Sequence, residues 1–230
     1  MKIDFISQEY KKLKDHCGLR IWKKPVEGHQ YAIGVDVAEG VGGDASCCQV
    51  LDCSNGYHVA SYWSNAVDID TYACQVYKLG NYYNKATVCP EVNNHGHALV
   101  ALLGGSAGSL AYPYLYKRIV FDEYTQKRGT QIGFRTTVST KPRIIENLKS
   151  ALRDGEIITQ DKDTIEELCN FVRDVRTGKM AAAGNSKDDR VMALALAFEQ
   201  YRITKENAQV SRGGTENYFQ KYDEMTGFPL

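Results

Sequence analysis

The chain has 230 residues, enough for one domain with both faces of a sheet covered and short for two. Its 28 basic residues balance 28 acidic ones, which excludes a global basic field for nucleic acid, so any polyanion contact has to be local. Seven cysteines, odd in number and without a C-x-x-C pair, argue against a disulfide framework or a zinc knuckle and for a reducing compartment. The longest strongly apolar run, Val191 to Phe198, is too short to span a bilayer, and the Lys-rich start has no signal-peptide core, so a soluble intracellular protein is expected.

Residues 1–30 alternate in charge without strong periodicity and read as a short helix and an extended lead-in. Tyr31 to Val50 then opens as a strand in which Ile33, Val35 and Val37 point one way and Ala32, Gly34, Asp36 and Ala38 the other. Asp36 thus sits in an otherwise apolar strand, where a carboxylate is costly unless a cation or hydrogen-bond donors compensate it. Glu39-Gly-Val-Gly-Gly-Asp44 supplies a glycine-rich turn, and Ala45 to Cys53 returns as a second strand. An Asp before such a turn holds a divalent metal, belongs to the phosphate loop of an actin-like sugar kinase, or only caps the turn. Gly56 to Asn65 completes an antiparallel meander.

Between Asp68 and Tyr83 the period becomes helical, with Tyr72, Gln75, Val76, Leu79 and Tyr83 on one face and Asp68 or Asp70 near the cap. Ala86 to Val92 returns as a short apolar strand ending at Glu91. Right-handed crossover sets it beside the first strand and brings Glu91 near Asp36. The turn from Asn93 to Gly96 leads into a helix over His97 to Leu103. Leu110 to Phe134 reads as a strand and a hairpin with a basic tip, and Thr140 to Arg153 as a helix capped by Thr140, striped with Ile144, Ile145, Leu148 and Leu152, and ended by Gly155. From residue 114 to 153, nine Lys or Arg face three Asp or Glu, a basic district in a neutral chain. A brief strand over Glu156 to Ile158, a helix over Thr164 to Asn170 and a short small-residue segment over Met180 to Ala183 follow. The last helix has Val191, Leu194, Ala195 and Phe198 on its apolar face and Asp188 and Asp189 at its start. Helix capping accounts for one of these aspartates and leaves the other to be explained. The polar stretch 205–230 reads as a flexible tail.

This order is that of an RNase H-like α/β fold: a mixed five-stranded central sheet, three antiparallel strands followed by parallel ones, with helices on both faces and here an extra basic hairpin. Asp36, Glu91, Asp188 and Asp189 fall where such a domain builds its metal site. Converging carboxylates repel unless cations neutralise them, and Mg²⁺ or Mn²⁺ suits an all-oxygen site that keeps waters and takes substrate phosphate. Two such ions about 4 Å apart activate a water and stabilise the departing oxygen of a phosphodiester. Hydrolysis of nucleic acid is the expected chemistry.

Four segments in order, Gly34 to Asp44, Pro90 to Gly96, Gly133 to Lys141 and Lys187 to Ala197, resemble the C-terminal nuclease domain of the large terminase subunit of tailed bacteriophages, over about residues 30–203. The resemblance implies an endodeoxyribonuclease that cuts concatemeric viral DNA during packaging, with little sequence specificity, in the cytoplasm of the infected host. Asp36 would bind both ions, Glu91 would be the second ligand, and Asp188 or Asp189 or both would complete the set. Asp44 is a further candidate ligand, while Asn93 and His95 shape the turn. Lys117, Arg118, Lys127, Arg128, Arg135, Lys141 and Arg143 are the expected contacts to the DNA backbone, with Lys149 and Arg153 on a solvated face. The implied partners are double-stranded DNA, the terminase ATPase domain, the small terminase subunit and the portal protein, with no membrane.

No G-x-x-x-x-G-K-[ST] occurs, so no ATPase activity is expected from this chain. Residues 1–30 would then lead in from a missing ATPase domain, and 31–204 would form the nuclease domain. An actin-like-fold kinase is a rival, although Gly104-Gly105 is a poor adenosine-binding segment and the Asp188-Asp189 pair has no role there. A junction resolvase or transposase would share the site without the Gly133-to-Lys141 segment. The non-enzymatic alternative is a DNA-docking or assembly module of the packaging machine.

Overall fold

In the computed structural model, residues 17–38, 45–93, 96–104, 110–122, 126–173, 180–182 and 188–213 are described. Five strands, β1 (Cys17–Ile21), β2 (Tyr31–Asp36), β3 (Ser46–Asp52), β4 (His58–Ser64) and β5 (Thr87–Pro90), form one sheet in the order β1-β4-β3-β2-β5. β2, β3 and β4 are the expected meander, and β5 lies parallel to β2 with Val35 opposite Pro90. β1 lies within the stretch read as a lead-in and pairs antiparallel with β4, Leu19 opposite Tyr62. It is five residues long and at the sheet edge, so its sequence carries little alternation to read.

β2 is covered on both faces, as its nearly continuous apolar run requires. On one face Ile33, Val35, Cys48 and Val50 pack with Tyr72, Val76 and Leu79 of α1 (Ile69–Tyr82) and Leu99 and Leu103 of α2 (Gly96–Leu103). On the other, Ala32, Leu51 and Cys89 meet Ile144, Ile145 and Leu148 of α3 (Thr140–Arg153) and the buried run Val191 to Phe198 of α5 (Asp189–Gly213). Small side chains let α5 approach the sheet closely. A Cβ on Gly34 would lie 2.0 Å from Ala193 O and 2.2 Å from Ala197 N, so the helix rests on the β2 backbone at this point. α5 also continues past residue 205, where a tail was expected; 205–213 holds no proline and its first glycine is Gly213. Among the described residues no helix is long and apolar enough to cross a membrane.

The basic hairpin, β6 (Lys117–Asp122) and β7 (Lys127–Ile132), springs from the free edge of β5. One root lies beside Val88, whose N–H donates to Tyr114 O at 2.8 Å, and the other beside Pro90, whose carbonyl accepts from Phe134 N at 2.8 Å. The strand expected over 156–158 is reduced to one parallel bridge between Tyr57 and Ile158. Thr140 begins α3 without capping it; its hydroxyl accepts from Thr137 N and donates to Arg135 O, which ties the loop before the helix. α4 (Lys162–Asn170) follows, and β8 (Phe171–Arg173) pairs with β9 (Met180–Ala182), so the small-residue segment is a strand.

His58 makes folding sensitive to acid. Its Nε2 donates to Ala60 O at 3.0 Å, so its Nδ1, 2.8 Å from Thr159 Oγ1, accepts from that hydroxyl and the ring is neutral. Burial lowers its pKa to about 4 against the opposing charge of Asp161. An unfolded histidine titrates near 6.5, so this contribution is complete above about pH 6.5 and is lost as pH falls toward 4, a difference of about 3 kcal/mol. Urea denaturation at pH 7 and pH 4.5 should show a smaller acid loss in His58→Gln than in the parent. Equal losses would count against His58 as the cause.

Candidate metal centre

The parallel pairing of β2 and β5 sends Asp36 and Glu91 out of the same end of the sheet, locked in step by Glu91 N donating to Val35 O at 2.8 Å. α5, seated on Gly34, brings its first turn to the same end, where Asp189 Oδ2 accepts from Ala45 N at 3.1 Å. The electrostatics record the meeting. The Asp36 carboxyl is pushed well above the usual carboxylate range, first by burial, then by the charge of Glu91 and a hydrogen bond with it, then by Asp189 and Asp188. A divalent cation would relieve this repulsion. Four carboxylates supply the hard oxygen donors that Mg²⁺ and Mn²⁺ prefer, so the residues suit such an ion.

Each acidic group has protein partners. Glu91, 8% exposed, accepts through Oε1 from Asn93 Nδ2 and Thr136 Oγ1, and Asn93 Nδ2 also reaches Thr136 Oγ1 at 2.6 Å. Asn93 therefore holds the carboxylate beyond shaping the turn. A Cβ on Gly96 would fall 1.6 Å from Glu91 O, so the start of α2 presses on the Glu91 backbone where only glycine fits. Asp188 Oδ2 receives Lys141 Nζ at 2.9 Å. Among the described residues no three His, Cys, Asp or Glu side chains form a ready-made cage for an ion. Glu91, Asp188 and Asp189 each accept hydrogen bonds from the protein. Asp44 and His95 lie outside the described residues.

Glu167 and Arg190, which the sequence reading passed over, hold the first turn of α5 in place. Glu167 accepts from Arg190 N at 2.9 Å and pairs with Arg190 Nε at 3.1 Å. The Arg190 guanidinium also reaches Asp163 at 3.4 Å and lies over the Trp63 ring at 5.3 Å. Arg20 from β1 binds Asp161 and Asp163 at 2.6 and 2.7 Å, joining the edge strand to the same cluster. The Glu167 carboxyl is pushed up to about 7, by burial first and with Asp189 adding, against the pull of Arg190. α4 thus caps α5 from outside. The only sequence signal was acid spacing on a short helix, which surface helices share.

Lys117, Lys127, Arg128 and Arg135 are exposed, on the hairpin and at its root, and Arg143 is half-buried on α3. Two basic residues are placed otherwise than expected. Arg118 is buried and donates to Gly133 O at 2.9 Å and to Gln131 Oε1, because strand alternation turns it away from the face of Lys117. It braces the hairpin root. Lys141 sits on Asp188, within the acidic centre.

Comparison with known proteins agrees with this architecture. The profile of the terminase RNaseH-like domain matches residues 33–200. The large terminase subunit of Thermus virus P23-45 is 29% identical over 178 residues, 75% of this chain and 32% of that protein, and the large subunit of Thermus phage G20c matches to the same extent. The chain thus spans about a third of the length of these relatives. The crystal structure of the large terminase nuclease from phage G20c superposes with a TM-score of 0.60 at 24% identity, covering 80% of this chain and 88% of that one. Its form with bound magnesium gives 0.61 at 22% identity, over 79% and 87%. All four segments that carry the resemblance lie within the matched range and the superposition shows a shared fold, so the chain belongs to the terminase RNaseH-like domain family.

Proposed function

We propose that this chain is a divalent-metal-dependent endonuclease that cuts double-stranded DNA during viral genome packaging, with little sequence preference. The observation that carries the reading is the meeting of Asp36 from β2, Glu91 from the end of β5 and the Asp188-Asp189 start of α5 at one end of the sheet, where burial first and then the charges of the other acids push the Asp36 carboxyl up. The relatives support the metal: the G20c nuclease was solved with bound magnesium, cobalt and zinc.

Asp36 is the central ligand because it projects from the rigid middle of the sheet and has the other acids around it. Glu91 is oriented by Asn93 and Thr136, and Asp188 and Asp189 close the site from α5. Asp36, Glu91, Asp188 and Asp189 would hold two Mg²⁺ or Mn²⁺ ions, which would supply an activated water and neutralise charge on the departing oxygen. Lys117, Lys127, Arg128 and Arg135, with Arg143 behind them, hold the phosphate backbone, which gives affinity without reading bases. Residues 31–204, with β1 added at the edge, act as the nuclease unit. The small subunit, the portal and the host cytoplasm are the setting. ATP hydrolysis belongs elsewhere, since this chain has no P-loop.

Supercoiled plasmid incubated with the protein and Mn²⁺ should be nicked and then linearised, and EDTA should stop both. Intact plasmid across a broad range of protein concentration, in Mn²⁺ and in Mg²⁺, would leave the docking-module reading in its place.

A further inference from the structure

Lys141 and Asp188 are far apart in the chain, yet they are in direct contact at 2.9 Å. Lys141 is the second residue of α3, whose start is tied down by the Thr137 and Thr140 hydrogen bonds and whose next turn is buried through Ile144 and Ile145. Five residues earlier, Thr136 donates to Glu91. One short segment therefore places a hydroxyl on one carboxylate of the centre and an ammonium on another. The two side chains are 32% and 28% exposed, so water and ions reach the pair and it can open.

An ammonium on Asp188 and a divalent ion on Asp188 compete for the same oxygen. We propose that Lys141 is a built-in competitor of the metal: it neutralises Asp188 while no ion is bound and has to leave when one arrives. This rests on the metal reading above and adds to it a residue that sets how tightly the ion is held. A pair this accessible is a weak lock, so its removal should tighten ion binding by about threefold to tenfold. Its effect also has to pass through Asp188, which separates it from the general repulsion between a lysine and a cation.

Calorimetric titration of Mn²⁺ into the 230-residue chain without DNA tests this, using the parent, Lys141→Ala, Lys141→Arg, Asp188→Asn and the Asp188→Asn/Lys141→Ala double variant. Lys141→Ala should bind Mn²⁺ about threefold to tenfold more tightly than the parent, and Lys141→Arg, which keeps the pair, should stay close to it. In the Asp188→Asn background the Lys141 substitution should change affinity less than about twofold, the outcome of a coupled pair in a double-mutant cycle. Unchanged affinity in Lys141→Ala overturns the proposal, and so does equal tightening in both backgrounds, which is long-range repulsion alone. If Mn²⁺ binds and Lys141 makes no difference, only this proposal falls. If no variant binds Mn²⁺, the metal reading fails and takes this one with it.

Discussion

Asp36→Asn should reduce Mn²⁺-dependent plasmid cleavage by more than about 100-fold while raising the melting temperature of the protein in EDTA. The two effects have one origin. Substituting a group that only orients a metal ligand costs about 10- to 100-fold, so loss of Asp36, the proposed central ligand itself, should cost more. The same carboxyl is pushed up by burial and by Glu91, Asp189 and Asp188. For an acid whose folded-state pKa lies above its unfolded value, the native state loses stability as pH rises through that interval, so at neutral pH the Asp36 carboxyl is a liability that asparagine removes. The advantage should vanish below about pH 4, where an unfolded aspartate is also protonated. Added Mn²⁺ should raise the melting temperature of the parent, because the ion binds the folded form, and should raise that of the variant less. A variant that cuts at the parental rate would remove Asp36 from the chemistry. One that melts lower in EDTA would show that its carboxylate is compensated by the protein.

Gly34→Ala should be the most damaging single methyl in the sheet. The added Cβ would meet Ala193 O at 2.0 Å, Ala197 N at 2.2 Å and Leu196 C at 2.9 Å. All three are backbone atoms of a buried helix, so no side chain can swing aside. α5 has to lift from β2, which opens the layer formed by Val191, Leu194 and Phe198. Overpacking of this kind costs about 3 kcal/mol or more, equivalent to a fall in melting temperature of about 10 °C for a chain of this size. The site should suffer with the fold, since the lifted helix carries Asp188 and Asp189 away from Asp36, so the Mn²⁺-induced rise in melting temperature should shrink as well. Gly129→Ala on the hairpin is the control: its Cβ would meet only Val120 Cγ2, at an ordinary 3.8 Å, and stability should hold. A Gly34→Ala protein as stable as the control would mean that α5 does not rest on β2 at this point.

Most of the sheet and its helices could be read from the chain because their signals are local. Period-two apolar runs marked β2 to β4, the change to helical spacing after Asp68 marked α1, and the return at Ala86 marked β5. The oddity of Asp36 in an apolar strand was also visible, and crossover handedness was enough to send Glu91 toward it. β1 was missed for the same reason that the others were found: five residues at an edge carry too little pattern. The burial of Arg118 was not legible because it depends on which face of β6 turns inward, and only the packing of the hairpin root decides that.

The residues that hold the centre were beyond such a reading. Lys141 meets Asp188, Thr136 meets Glu91 and Glu167 meets Arg190 only after α3, α4 and α5 are laid on the sheet, and the seat of α5 depends on a glycine in β2. The order of amino acids decided which segments are strands and helices and where the acids lie along them, since that information is contained within a turn or two of backbone. The partner of each charge was left to the folded state, because a side chain's neighbours in space are set by how whole elements pack, and no short window of sequence records it.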